Sequence, residues 1–210
     1  MKRLLALFAT LIISTSAFGQ GGLVAGKDYR PINPPQPVSG NQIEVLEFFS
    51  YACPHCFQFE PLLNSWLSSK PKGVAFSHVP AVFNQRMIPQ AKLYYTLQET
   101  GNLKKLHDKV YDAIHRQGKK LGDREEILQW AETQDVDMKA FTAAFDSFSV
   151  GNKVQRAVQM ARAYRIPGTP YMIVNGKYMT GPGMALRSDG NGVDPQRFVY
   201  ILNTLIEMER

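Results

Sequence analysis

Strand-forming patterns occupy two short stretches of this chain, and residues 85 to 164 between them read almost wholly as helix. In the first stretch, "IEVLEFFS" at 43–50 places Ile43, Val45, Glu47 and Phe49 on one face and Leu46 and Phe48 on the other. Both faces are largely apolar, which predicts a central strand covered on both sides. Helical character follows from the cysteines at 53 and 56 to about Ser69. Pro61 lies inside that helix and is expected to kink it, because it lacks a backbone donor and crowds the Phe57 carbonyl. "VAFSHVPAVF" at 74–83 is a second strand. In the second stretch, Asn175-Gly176 inside "PYMIVNGKYMTG" signals a hairpin. A last helix follows, with Asp194 as N-cap, Pro195 at the first helical position, and Phe198, Ile201, Leu202, Leu205 and Ile206 as its buried stripe.

Three apolar stripes mark the helical block: Leu103, Leu106, Val110 and Ile114; Met138, Phe141, Phe145 and Phe148; Val154, Ala157, Val158 and Ala161. The order strand, helix, strand, helical block, hairpin, helix predicts an α/β domain formed by residues 43–83 and 165–210. Residues 84–164 are a helical insertion. Residues 20–42, rich in Gly, Pro and Asn, read as an extended leader. At 44% hydrophobic and 20% charged, the chain can bury a core and does not read as disordered. Net charge is +6, but the pairs Lys104-Lys105 and Lys119-Lys120 read as solvated faces. With no basic stripe, nucleic acid is not an expected partner.

The N-terminus carries its own message. Lys2 and Arg3 precede the apolar run "LLALFATLII" at 4–13, and Ala17 and Gly19 supply small residues near a cleavage point. This is the layout of a secretory signal, residues 1–19. The run is short for a membrane span, so cleavage is preferred over a retained anchor. Export places the chain where disulfides persist.

Cys53 and Cys56 are the only cysteines. A disulfide between them closes a very small loop and removes little entropy from the unfolded chain, so a structural staple is a weak reading. A structural zinc site needs four ligands, and this pair offers two. His55 lies inside the motif, while His78, His107 and His115 sit on separate elements without ligand spacing, so no metal is expected. The reactive reading has a mechanism. Cys53 falls at a helix N-terminus, with Pro54 at the first helical position. Unpaired N–H groups and the helix dipole favour its thiolate, and His55 adds a donor and, when protonated, a positive charge. Cys56 is a turn further in, more buried and more protonated. Cys53 is therefore the exchanging sulfur and Cys56 its internal partner.

"VLEFFSYACPHCFQFEP" around the cysteines and Thr169-Pro170 in "RIPGTPYMIVNGKY" together resemble the thioredoxin superfamily, and within it the DsbA family of periplasmic thiol:disulfide oxidoreductases. The resemblance covers the chain from about residue 40 onward. It implies a thioredoxin fold with a helical insertion domain, and donation of a Cys53–Cys56 disulfide to newly exported proteins. It also implies reoxidation by a membrane partner of the DsbB type and no cofactor beyond the disulfide. Pro170 would be a cis-proline facing the site, with Thr169 beside it at the substrate. The family's buried acid falls on Glu47, which would accept a proton from Cys56; an ordinary salt-bridged glutamate, perhaps with lysine, is the alternative. Glu60 shares a helix face with Cys56 and either tunes the site or is an exposed helix glutamate. Ala52 departs from a bulkier approach to Cys53 and leaves the substrate groove less defined. A monomer is expected. Competing functions are a disulfide isomerase or reductase, and a non-catalytic metal- or peptide-binding module.

Overall fold

The computed structural model describes residues 22–210; the expected signal segment lies outside them. Strand β1 is Arg30–Pro31 and β2 is Ile43–Phe49. Helix α1, Pro54–Ser69, leads into β3, Val74–Pro80. Five helices follow: α2 Ile88–Glu99, α3 Leu103–His115, α4 Arg124–Glu132, α5 Met138–Phe145 and α6 Phe148–Ala163. The chain then forms β4, Tyr171–Val174, and β5, Tyr178–Thr180, and ends on α7, Pro195–Glu207.

The five-stranded sheet has the order β1-β5-β4-β2-β3. β2 runs parallel to β3 and antiparallel to β4, so the strands on either side of the helical block meet at β2. Both faces of β2 are covered, as its two apolar faces require. Val45 packs with Phe59, Leu63 and Trp66 of α1 and with Phe198, Ile201 and Leu202 of α7. Leu46 and Phe48 pack on the opposite side with Ala157 and Ala161 of α6. Phe49, at the end of β2, turns into the core of the helical block with Leu93, Leu97, Leu106, Val110 and Trp130. Cys56 belongs to that same cluster. The motif therefore sits on the seam between sheet and block.

Most local signals act as expected. Asp194 caps α7 by accepting from the Arg197 N–H at 3.0 Å, and all five residues of the α7 stripe are buried. Asn175 and Gly176 take positive φ values of 48° and 66° in the hairpin loop. A Cβ at Gly176 would run into the Gln36 carbonyl, so glycine is required there twice over. α1 stays helical through Pro61.

One expectation is corrected. Phe148 does not continue the Met138–Phe145 stripe: α5 ends at Phe145, Ser147 caps a new helix, and Phe148 is 84% exposed on its first turn. A periodic count ran across a helix boundary that the Ser147 cap makes explicit. The leader also contributes to the sheet. Arg30 and Pro31 pair with Met179 and Tyr178, giving β5 an edge partner.

Candidate active site

The step from β2 to α1 builds the site. Cys53 is the N-cap of α1 in extended conformation, and its sulfur accepts from the Cys56 N–H at 3.4 Å. Pro54 occupies the first turn, where a missing donor costs nothing. Cys53 is partly exposed, while Cys56 is buried. Both are thiols in this structure.

The two sulfurs sit in opposite environments. The thiol of Cys56, the Thr169 side chain, and the backbone N–H groups of Cys56 and His55 all stabilise the Cys53 thiolate, against partial burial, and hold its pKa down to about 5. The Thr169 carbonyl, 3.4 Å away, accepts only from the protonated thiol and so opposes them. Cys56 moves the other way. Donation to Cys53 and burial push its pKa far above the usual thiol range, and the nearby Glu47 adds to this. The ring of His55 is exposed and makes no hydrogen bond; it is the His55 backbone that reaches the sulfur.

Thr169 and Pro170 arrive from the loop before β4. The Thr169–Pro170 peptide is cis and lies against Cys53. Beside them opens a groove of about 620 Å³, lined by His55, Phe59, Leu62, Pro170, Leu186 and Val193 among others. Ala52 is exposed, whereas Tyr51 is buried and points into the helical block.

Beneath the motif lies a buried polar floor. Glu47, fully buried on β2, is directly opposite His78 on β3, and its Oε2 is 2.6 Å from His78 Nδ1. The partner is histidine, not the lysine that a simple salt bridge suggested. Burial raises the Glu47 pKa, with the Cys53 charge adding to it, and lowers that of His78 to about 4. The pair thus holds a single proton between two groups that both resist charge. Glu60 is not an exposed helix glutamate: it is only 6% exposed, and burial followed by the Glu47 charge raises its pKa. His107 of α3 faces it, Nε2 to Oε1 at 3.6 Å. His78 and His107, set aside in the sequence for want of ligand spacing, stand with their ring centroids 4.7 Å apart.

A thioredoxin-type sheet carrying a helix-capping Cys-x-x-Cys beside a cis-proline is the site of a thiol:disulfide oxidoreductase. The DSBA-like thioredoxin domain profile matches residues 73–186. The chain is 45% identical over 181 residues to the thiol:disulfide interchange protein DsbA of Bordetella parapertussis, covering 86% of this chain and 84% of that relative. It is 38% identical to the protein of that name from Azotobacter vinelandii, covering 88% and 84%. The crystal structure of Pseudomonas aeruginosa DsbA superposes with a TM-score of 0.81 at 35% identity, over 90% of this chain and 95% of that one. This chain belongs to the DsbA family of thiol:disulfide interchange proteins.

Proposed function

We propose that this chain oxidises cysteine pairs of proteins exported to the periplasm, with Cys53 as the exchanging sulfur. A substrate thiolate attacks Cys53 Sγ of the oxidised pair, the Cys53–Cys56 bond breaks, and Cys56 leaves and takes up a proton. A second substrate thiolate then attacks the substrate sulfur of the mixed disulfide and expels Cys53 as thiolate. The substrate loses two electrons and two protons, and the enzyme pair gains the electrons. No external cofactor enters.

The observation that carries this reading is the opposed titration of the two sulfurs. A thiol held near pKa 5 is a good leaving group, and the form that contains it is stabilised. That makes the disulfide easy to give away. Glu47 gives the leaving Cys56 its proton and is the acceptor for that proton when the disulfide is re-formed, because a buried carboxyl with a raised pKa can hold a proton at neutral pH. Thr169 and Pro170, with the adjoining groove, hold an extended substrate segment by strand-like backbone contacts. Residues 1–19 direct export, and a membrane reoxidase of the DsbB type restores the disulfide of the monomeric enzyme. The helical block, 84–164, is an insertion into the thioredoxin-like domain.

Equilibration with glutathione redox buffers tests the reading. An oxidant poises above about −180 mV, the value typical of disulfide isomerases. A potential near that of thioredoxin, about −270 mV, would make the chain a reductase instead. A binding module would show no special poise.

A further inference from the structure

The polar floor contains more than the Cys56 proton acceptor uses. Glu60 from α1, His78 from β3 and His107 from α3 each present a ligand atom, and the three atoms lie within 4.8 Å of one another. Both Glu60 oxygens and His107 Nε2 are buried with no hydrogen-bond partner. Three orphaned polar atoms converging in one place are costly, since each forfeits its water without replacement.

The outer partners sharpen the picture. His78 Nδ1 is bound to Glu47 Oε2 at 2.6 Å, which leaves Nε2 to ligate. His107 Nδ1 is bound to the Tyr51 hydroxyl at 2.8 Å, which leaves its Nε2 facing Glu60. Metal-binding histidines are fixed in this way: one nitrogen anchored by a carboxylate or another polar group, the other presented to the ion. Two histidines on different elements are both so anchored here. Ligands about 2.0–2.2 Å from a tetrahedral ion stand roughly 3.3 Å from one another. The His107–Glu60 distance of 3.6 Å is already close to that.

We infer that Glu60, His78 and His107 form a binding site for a divalent transition metal of the zinc class, beneath the Cys-x-x-Cys motif, with Glu47 and Tyr51 orienting the two histidines. Two imidazoles and one carboxylate suit zinc, cobalt or nickel and disfavour calcium or magnesium. Neither cysteine is a ligand, and the site meets the redox chemistry only through Glu47, which orients His78.

The test uses the purified chain with Cys53 and Cys56 oxidised, so that no thiolate competes. After chelator treatment it is titrated with Zn²⁺ by calorimetry and with Co²⁺ by visible absorption. One ion per chain is expected, with intense Co²⁺ bands of a four- or five-coordinate site. His107→Gln and the isosteric Glu60→Gln should each weaken binding by more than 100-fold. Tyr51→Phe, which removes only the outer partner of His107, should weaken it about 10-fold. His55→Gln, at the exposed histidine, should leave it unchanged. Circular dichroism checks the fold of each variant, and if His107→Gln does not fold, Glu60→Gln decides. No saturable binding to the oxidised chain overturns the inference. So does binding that survives Glu60→Gln or is lost with His55→Gln.

Discussion

The outer and inner halves of one helical turn give two neighbouring sulfurs opposite surroundings. Outside, Cys53 meets backbone N–H groups, a helix end and an open groove. Inside, three residues on, Cys56 is buried in the core of the helical block with the Glu47 carboxyl nearby. The first environment stabilises a negative sulfur, and the second refuses charge of either sign. A disulfide joining the two is pulled toward reduction from one side only. Reactivity here comes from the contrast between neighbours and not from either cysteine alone.

The contrast is broken most completely by removing one sulfur at a time. Cys56→Ala should accumulate mixed disulfides with a disulfide-containing substrate, Cys53 attacking one substrate sulfur and expelling the other as thiolate with no Cys56 to resolve the adduct, while Cys53→Ala should trap none; non-reducing gels count the adducts. Equal trapping by both would refute the assignment of roles. Next in size is the floor. Glu47→Gln keeps the volume and removes the group proposed to give the leaving Cys56 its proton, so stopped-flow oxidation of a dithiol peptide should slow about 100-fold at pH 7, the scale of general acid–base effects.

A smaller effect reads the outer half through stability. The folded Cys53 pKa, about 5, lies below its unfolded value. A depressed acid stabilises the fold fully above its unfolded pKa, and the gain is lost as pH falls toward 5. Reduced protein should thus be more stable than oxidised protein at pH 7 by about 1–2 kcal/mol, once solvent screening at a half-exposed sulfur is allowed for. The gap should shrink steadily from pH 8 to pH 5. Above the ordinary thiol pKa the trend reverses, because Cys56 stays protonated in the fold and ionises when unfolded. Denaturant unfolding of both redox forms gives the curve, and an oxidised form more stable throughout would make the disulfide structural. The smallest effect is His55→Leu. The backbone N–H at that position remains, so the Cys53 pKa, followed by thiolate absorbance at 240 nm, should rise by less than about 1, or ~1.4 kcal/mol.

Local chemistry was readable in the sequence where it is written in consecutive residues. The capping of α1 by Cys53 and Pro54, the Asn175-Gly176 turn and the Asp194 cap each depend on a few adjacent positions. The two apolar faces of β2 disclosed a central strand for the same reason. The polar floor was not readable, because Glu60, His78 and His107 come from a helix, a strand and the inserted block. No spacing rule links such residues; only the fold brings them together. The edge strand at Arg30–Pro31 was hidden likewise, since a two-residue pairing has no periodicity to detect. Phe148 misled because helical period alone does not say where one helix stops.

Tyr51 stands two residues before Cys53 and is gripped at both ends by α3. Its hydroxyl meets His107 at 2.8 Å, its carbonyl meets His115 at 2.7 Å, and the His115 ring stacks on Phe57 just past the motif. The inserted helices therefore hold the redox turn as a clamp holds a workpiece. A tilt of α3 by an ångström would be carried through rigid aromatic contacts to the helix start, where it would realign the N–H groups that set the charge on Cys53. Substitutions far out in the helical block thus have a mechanical route to the electron affinity of the disulfide.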